Sequence, residues 1–187
     1  MRALPALLIA LRGTLGAVLL ALGLSGHTGW PFAMLLIVGL LSDIFDGVLA
    51  RRLGVASARL RLADSVTDGI FVLCVGGGLL SAFWPEVRPL TLLLAVYLLT
   101  DGLGWAFDLH KFGRLAAYHA YTTKLTGLLL CVAALRLTLT AQVDWLAAAL
   151  VVGSLNHLER LCMSALLLRW TPDVPTLWHA WKLRAAS

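Results

Sequence analysis

Four aspartates carry the chemistry that this chain could perform. Asp43 and Asp46 stand three residues apart in the run Asp43-Ile44-Phe45-Asp46-Gly47-Val48-Leu49-Ala50-Arg51, and Asp64 and Asp68 stand four apart a little further on. On a helix, positions 43, 46, 47 and 50 share one face, and so do 64 and 68. Two neighbouring helices can therefore direct four carboxylates to one point. Ionised carboxylates gathered at a membrane boundary repel one another and lose hydration, so they persist only with cations beside them. Oxygen donors of this kind suit hard divalent metals. Gly47 and Ala50, one turn along the same face, leave backbone accessible to a flat ligand. Arg51 then offers a planar cation matched to phosphate oxygens. A salt bridge from Asp43 or Asp46 to Arg51 or Arg52 at a helix end is the plainer alternative. It does not account for two carboxylate pairs at helical spacing on consecutive helices.

The elements that must position these residues are membrane helices. Of 187 residues, 60% are hydrophobic and 13% charged, with a mean hydropathy of +0.87. Repeated apolar runs near 20 residues long predict an all-α, integral membrane bundle of six transmembrane helices. The spans fall at about 5–24, 31–50, 63–83, 89–107, 117–138 and 144–168. They leave room for one membrane domain, residues 1–170, and a short amphipathic tail, 171–187, with Trp178, Trp181, His179, Lys182 and Arg184. Pro31 opens the second span, and Trp84-Pro85-Glu86-Val87-Arg88-Pro89 makes a tight turn after the third. The segment 51–62 reads as a short connection or interfacial helix. Gly76-Gly77-Gly78 suits close helix contact.

Charge sets the orientation. With a cytosolic N-terminus, that side receives Arg2, Arg51, Arg52, Arg59, Arg61, Lys111, Arg114, Arg169, Lys182 and Arg184, and the other side only Arg88 and Arg136. Both termini and the aspartates then face the cytosol, as in a bacterial-type inner membrane. The net charge of +5 is thus a topology signal and an attraction to anionic lipid, with no call for nucleic acid. Arg12 interrupts the first apolar run and no cleavage site follows, so that run is expected to be a retained span and not a signal peptide. Cys74, Cys131 and Cys162 are isolated among apolar residues and read as small buried hydrophobes.

The run Asp43-x2-Asp46-Gly47-x2-Ala50-Arg51 with Asp64-x3-Asp68 resembles the signature of the CDP-alcohol phosphotransferases, D-x2-D-G-x2-A-R-x8-G-x3-D-x3-D. One position departs, Leu60 in place of the second glycine. The usual P-N-x-x-T-x-x-R start is also partly present: Pro5 and Arg12 fit, while Ala6 and Ile9 replace its polar residues. The resemblance implies transfer of a phosphatidyl or other phospho-alcohol group from a CDP-alcohol, CDP-diacylglycerol in the first instance, to an acceptor hydroxyl, with release of CMP. It implies two Mg2+ or Mn2+ ions held by Asp43, Asp46, Asp64 and Asp68, with Asp68 also the general base. Two such ions about 4 Å apart stabilise attacking and leaving oxygens. Gly47, Ala50 and Arg51 would hold the CDP moiety. A membrane-embedded homodimer acting in phospholipid biosynthesis is the implied setting.

Lys124, two turns into the fifth span, resembles a lysine common in the family and is expected to bind phosphate; a lysine snorkelling to the interface is the alternative. Lys111 and Arg114 read as topology charges and His119 as an interfacial histidine. Glu159 and Arg160, with Asn156 and His157, lie inside the sixth span, where the buried charges line the cavity, bond across a dimer interface or brace the helix bundle, the last being the expected role. Arg12 either faces the aspartate cavity or reaches to the cytosol. Two other functions are open: a catalytically lapsed member serving as a lipid-binding or structural subunit, kept in view by Leu60, Ala6 and Ile9, and a small cation transporter. A transporter would spread its carboxylates through the bilayer, whereas these gather at one boundary.

Overall fold

The computed structural model describes residues 4–53, 58–116, 118, 120–172 and 174–185, without the side chains at 47, 50, 51, 58, 59, 61, 62 and 65. Among the described residues the fold is all-helical and holds no strand. The long helices are α1 (Leu4–Leu24), α2 (Trp30–Arg52) and α3 (Ala58–Ala82), then, after a short α4 (Trp84–Val87) and the 3-10 turn Arg88–Leu90, α5 (Thr91–Phe112), α6 (Tyr121–Thr140) and α7 (Asp144–Leu166). A nine-residue α8 (Leu177–Ala185) closes the order.

Among the described residues three stretches, against the six expected, are long and apolar enough to cross a membrane: Leu4–Leu24, Trp84–Phe112 and Tyr121–Thr140, with mean hydropathies of 2.1, 1.6 and 1.4. A shorter apolar stretch covers Val66–Ala82. In α7 the polar residues Asn156, His157, Glu159 and Arg160 dilute an otherwise apolar helix. Leu92, Leu98, Leu99 and Leu103 of α5 remain exposed, as on a helix whose outer solvent is hydrocarbon.

Helix ends depart from the limits of the apolar runs. α3 begins at Ala58 and not near 63, because the backbone ladder runs on through residues that hydropathy places outside the span. The segment 51–62 is thus helix at both ends, with 54–57 outside the described residues. α5 runs past 107 to Phe112, where Gly113 takes a left-handed conformation (φ 66°) and its N–H caps Leu109 O at 3.0 Å. α6 starts at Tyr121, four residues after the expected 117.

Two compact units divide the chain, one formed by Met1–Glu86 with Leu135–Ala141, the other by Val87–Ala134 with Gln142–Ser187. In the first, α1 packs against both α2 and α3. Leu15, Leu19, Phe32, Ala33, Leu36, Phe71, Val75 and Leu79 form its core. Gly23 and Gly78 let α1 and α3 touch backbone to backbone, and a Cβ on Gly23 would overlap the Gly78 main chain. Of the glycine triplet, Gly78 makes this contact while Gly76 faces open space. In the second unit α7 packs against α5 and α8. Its buried cluster joins Tyr118, Met163, Leu167, Val174 and Ala180.

Candidate active site

Because α1 lies against both α2 and α3, one residue of α1 can face both aspartate pairs, and that residue is Arg12. Its side chain is 1% exposed. Nη1 donates to Asp43 and Nη2 to Asp64. Nη2 also donates to Asp46 Oδ2 at 3.0 Å, and Nη1 lies 2.8 Å from Asp68 Oδ1. The i,i+3 and i,i+4 spacings, on two helices meeting a third, thus converge on a single guanidinium. Nε of Arg12, also buried, has no hydrogen-bond partner among the described residues.

The four carboxylates are not equivalent. Asp46 is 3% exposed, against 48% for Asp43, 33% for Asp64 and 42% for Asp68. Asp46 and Arg12 form the buried side of the site, and the other three open toward solvent. Asp43, Asp64 and Asp68 each offer one oxygen, and these oxygens lie within 4.8 Å of one another.

The electrostatics follow directly. Among the described residues one guanidinium meets four carboxylates, and three of these carboxylates lie on the open side. Exposed ion pairs have water to share such a load; groups facing a buried arginine have less of it. A divalent cation fits this donor set, since carboxylate oxygens in close array are the ligands that Mg2+, Mn2+ or Ca2+ take.

Of the two destinations open to Arg12, the aspartates and the cytosol, the structure shows the aspartates. Its partners could have been suspected from the cost of a charge inside the first span. The backbone of Gly47, Ala50 and Arg51 continues α2 beyond Asp46, but their side chains lie outside the described residues, as does His119. Lys124 is exposed in the second unit, its Nζ 5.7 Å from the Tyr121 ring centroid. Leu60 lies in the first turn of α3.

Glu159 and Arg160 do not bond to each other. Neighbouring residues on a helix diverge by about 100°, and each finds a different partner. Arg160 Nη1 reaches Asp101 Oδ1 at 3.4 Å, while Glu159 Oε2 accepts from Thr122 Oγ1 at 2.6 Å. The bracing is real but runs from α7 to α5 and α6. Asp101 also lies 3.6 Å from His157 Nε2, and Asn156 Oδ1 accepts from both Thr122 and Thr123 at 2.9 Å. A second knot joins Asp108 to Ser164 Oγ at 2.5 Å and to the Ala116 N–H at 3.1 Å, with Tyr118 Oη 3.0 Å from the same serine. Lys111 is less a topology charge than a clasp, since Nζ donates to Ser164 O and Ala165 O at 2.8 and 2.9 Å.

Fold and site together define an all-helical integral membrane protein whose apolar helices present a carboxylate-rich, metal-compatible centre. Comparison with known proteins makes this specific: the family model described as CDP-alcohol phosphatidyltransferase matches residues 2–158. The chain belongs to the CDP-alcohol phosphatidyltransferase family. No curated protein and no solved structure gives a match. The matched segment contains Arg12 and all four aspartates and stops short of Glu159 and the tail. Enzymes of this family transfer a phospho-alcohol group from a CDP-alcohol to an alcohol acceptor and use divalent metals, chemistry the carboxylate group here is suited to.

Proposed function

We propose that the chain catalyses Mg2+- or Mn2+-dependent transfer of a phosphatidyl group from CDP-diacylglycerol to the hydroxyl of a small acceptor, releasing CMP. The observation that carries this reading is the convergence of four carboxylates on Arg12, with Asp43, Asp64 and Asp68 open and close enough to share a cation. These three and Asp46 would hold two divalent ions. When bound, such ions supply the positive charge that a pyrophosphate and its leaving oxygen require.

The chain's own residues do the rest. Asp68 takes the proton of the acceptor hydroxyl, whose oxygen bonds to the lipid-bearing phosphorus. The bond from that phosphorus to the bridging oxygen breaks, and CMP leaves with the electron pair. A base in this role contributes about 10²- to 10⁴-fold. Gly47 and Ala50 admit the cytidine end close to the α2 backbone, and Arg51 pairs with the diphosphate. Lys124 binds phosphate of donor or acceptor. Arg12 holds the four carboxylates in register and limits their mutual repulsion.

The proposal extends to setting. Six spans in one membrane domain, 1–170, place the aspartates at the cytosolic boundary of a bacterial-type inner membrane, where soluble CMP leaves and acyl chains stay in lipid. A homodimer is the expected assembly. A catalytically lapsed member is the second reading, favoured by Leu60, Ala6 and Ile9 at positions of the family pattern.

Purified protein, CDP-diacylglycerol and a panel of alcohol and phospho-alcohol acceptors, with Mn2+ or Mg2+, test both. CMP release that needs one acceptor and is lost in Asp68→Asn establishes the transferase and names its substrate. Absence of CMP release with every acceptor, together with absence of CMP binding, establishes the lapsed reading.

A further inference from the structure

Beyond the family-matched segment, the chain after α7 and the end of α8 border an open cavity of about 430 Å³ lined by Leu167, Leu168, Arg169, Thr171, Leu183 and Arg184. Its construction begins with the chain leaving α7. Leu167 turns extended (ψ 129°), and α8 is then seated by Ala180, fully buried against Met163, Leu167 and Val174. That docking brings Arg184 back to the end of α7, where Nη1 donates to Leu166 O at 3.2 Å. Arg169, also lining the cavity, is exposed, and among the described residues no acidic group is paired with either arginine.

Two arginines and three leucines lining one cavity form an amphipathic receptor. Guanidinium groups bind phosphate oxygens in a fork, a geometry that ammonium groups lack. The leucines give nothing to a free anion and a good deal to an acyl chain. On the same short helix, Trp178 and Trp181 are stacked (centroids 4.9 Å apart, 19° between planes) yet about half exposed. Lys182 Nζ lies 5.2 Å over the Trp178 ring. Exposed tryptophans with a basic neighbour are the pattern of a segment lying at the headgroup level of a bilayer. Arg114, stacked 4.1 Å over Trp170, adds positive charge beside the end of α7.

We propose that this cavity is a binding site for an anionic phospholipid, the phosphate between Arg169 and Arg184 and an acyl chain along Leu167, Leu168 and Leu183. It is distinct from the aspartate site in residues and in charge, because the aspartates repel an anion that the arginines attract. A lipid held there ties α8 to the membrane and fixes the end of α7.

Full-length protein in phosphatidylcholine micelles or nanodiscs, titrated with phosphatidic acid as the probe and followed by native mass spectrometry, tests this. Parent protein should bind phosphatidic acid in preference to phosphatidylcholine. Arg169→Gln, which removes an exposed group with no acidic partner among the described residues, should weaken that binding roughly tenfold, the worth of one charge-assisted contact. Arg184→Lys, keeping the charge and losing the fork, should weaken it less, and Arg169→Gln with Arg184→Gln most. Unchanged phosphatidic acid binding in Arg169→Gln would overturn the proposal by locating the lipid elsewhere. Displacement of the lipid by equimolar inorganic phosphate would overturn it by making this a free-phosphate site.

Discussion

Two polar centres inside apolar helices use the same residue types to opposite ends. Around Arg12, four carboxylates share one guanidinium, and three of them open to solvent. Around α7, each carboxylate has a donor of its own: Asp101 takes Arg160, Asp108 takes Ser164 and the Ala116 N–H, and Glu159 takes Thr122. Balanced groups hold helices together and ask for nothing further. An unbalanced cluster holds helices together at the cost of stored repulsion, which a cation can relieve. The balance of charge, and not burial or the presence of aspartate, separates a centre built to bind from one built to brace.

The sharpest way to break the comparison is to remove one carboxylate from the unbalanced centre. Asp68→Asn should lower CMP release by about three orders of magnitude while the protein melts at or above the parent's temperature, because repulsion has been reduced. A variant that melts well below the parent would make Asp68 a brace like Asp101.

Removing the cation should do the reverse. Arg12→Gln leaves four carboxylates without their buried partner and should destabilise the metal-free protein by about 3 kcal/mol. Saturating Mn2+ should restore much of that loss by mass action, so the Mn2+-induced rise in melting temperature should exceed the parent's. An equal rise in both would show that Arg12 and metal do not act on the same charges.

Packing is the next term down. Gly23→Ala drives a methyl into the Gly78 main chain and should cost about 2 kcal/mol, more than offsetting the helix propensity alanine gains over glycine. A stabilised Gly23→Ala protein would show that α1 and α3 do not approach so closely.

The smallest effect belongs to the balanced centre. Asp101→Asn keeps shape and an acceptor while removing the charge facing Arg160, and should cost about 1 kcal/mol. Metal affinity, read by the same Mn2+ titration, should not change. A drop in Mn2+ affinity would connect Asp101 to the metal site and dissolve the distinction drawn between the two centres.

Much of this was legible before any coordinates, because it rests on local periodicity. Spacings of three and four put Asp43 with Asp46 and Asp64 with Asp68 on helix faces, and an apolar run of span length around Arg12 makes a helix of the first segment. Helix ends were less legible. α3 begins at Ala58 and α5 runs to Phe112 because the hydrogen-bond ladder ends where a cap such as Gly113 ends it, and hydropathy reports only where lipid ends.

What the sequence alone determined is the chemistry available: the carboxylates, their helical spacing, and the apolar environment that makes their charge costly. Which groups meet was decided only by the tertiary structure. Arg12 is 31 residues from Asp43 and 52 from Asp64, and nothing local pairs them. The small residues Gly23 and Gly78, by bringing α1 within backbone contact of α3, do. In the same way Glu159 and Arg160, adjacent in the chain, face different helices because consecutive side chains on a helix diverge. A charge finds its partner by where the packing of small and large side chains sets the helices, and that packing is a property of the whole fold.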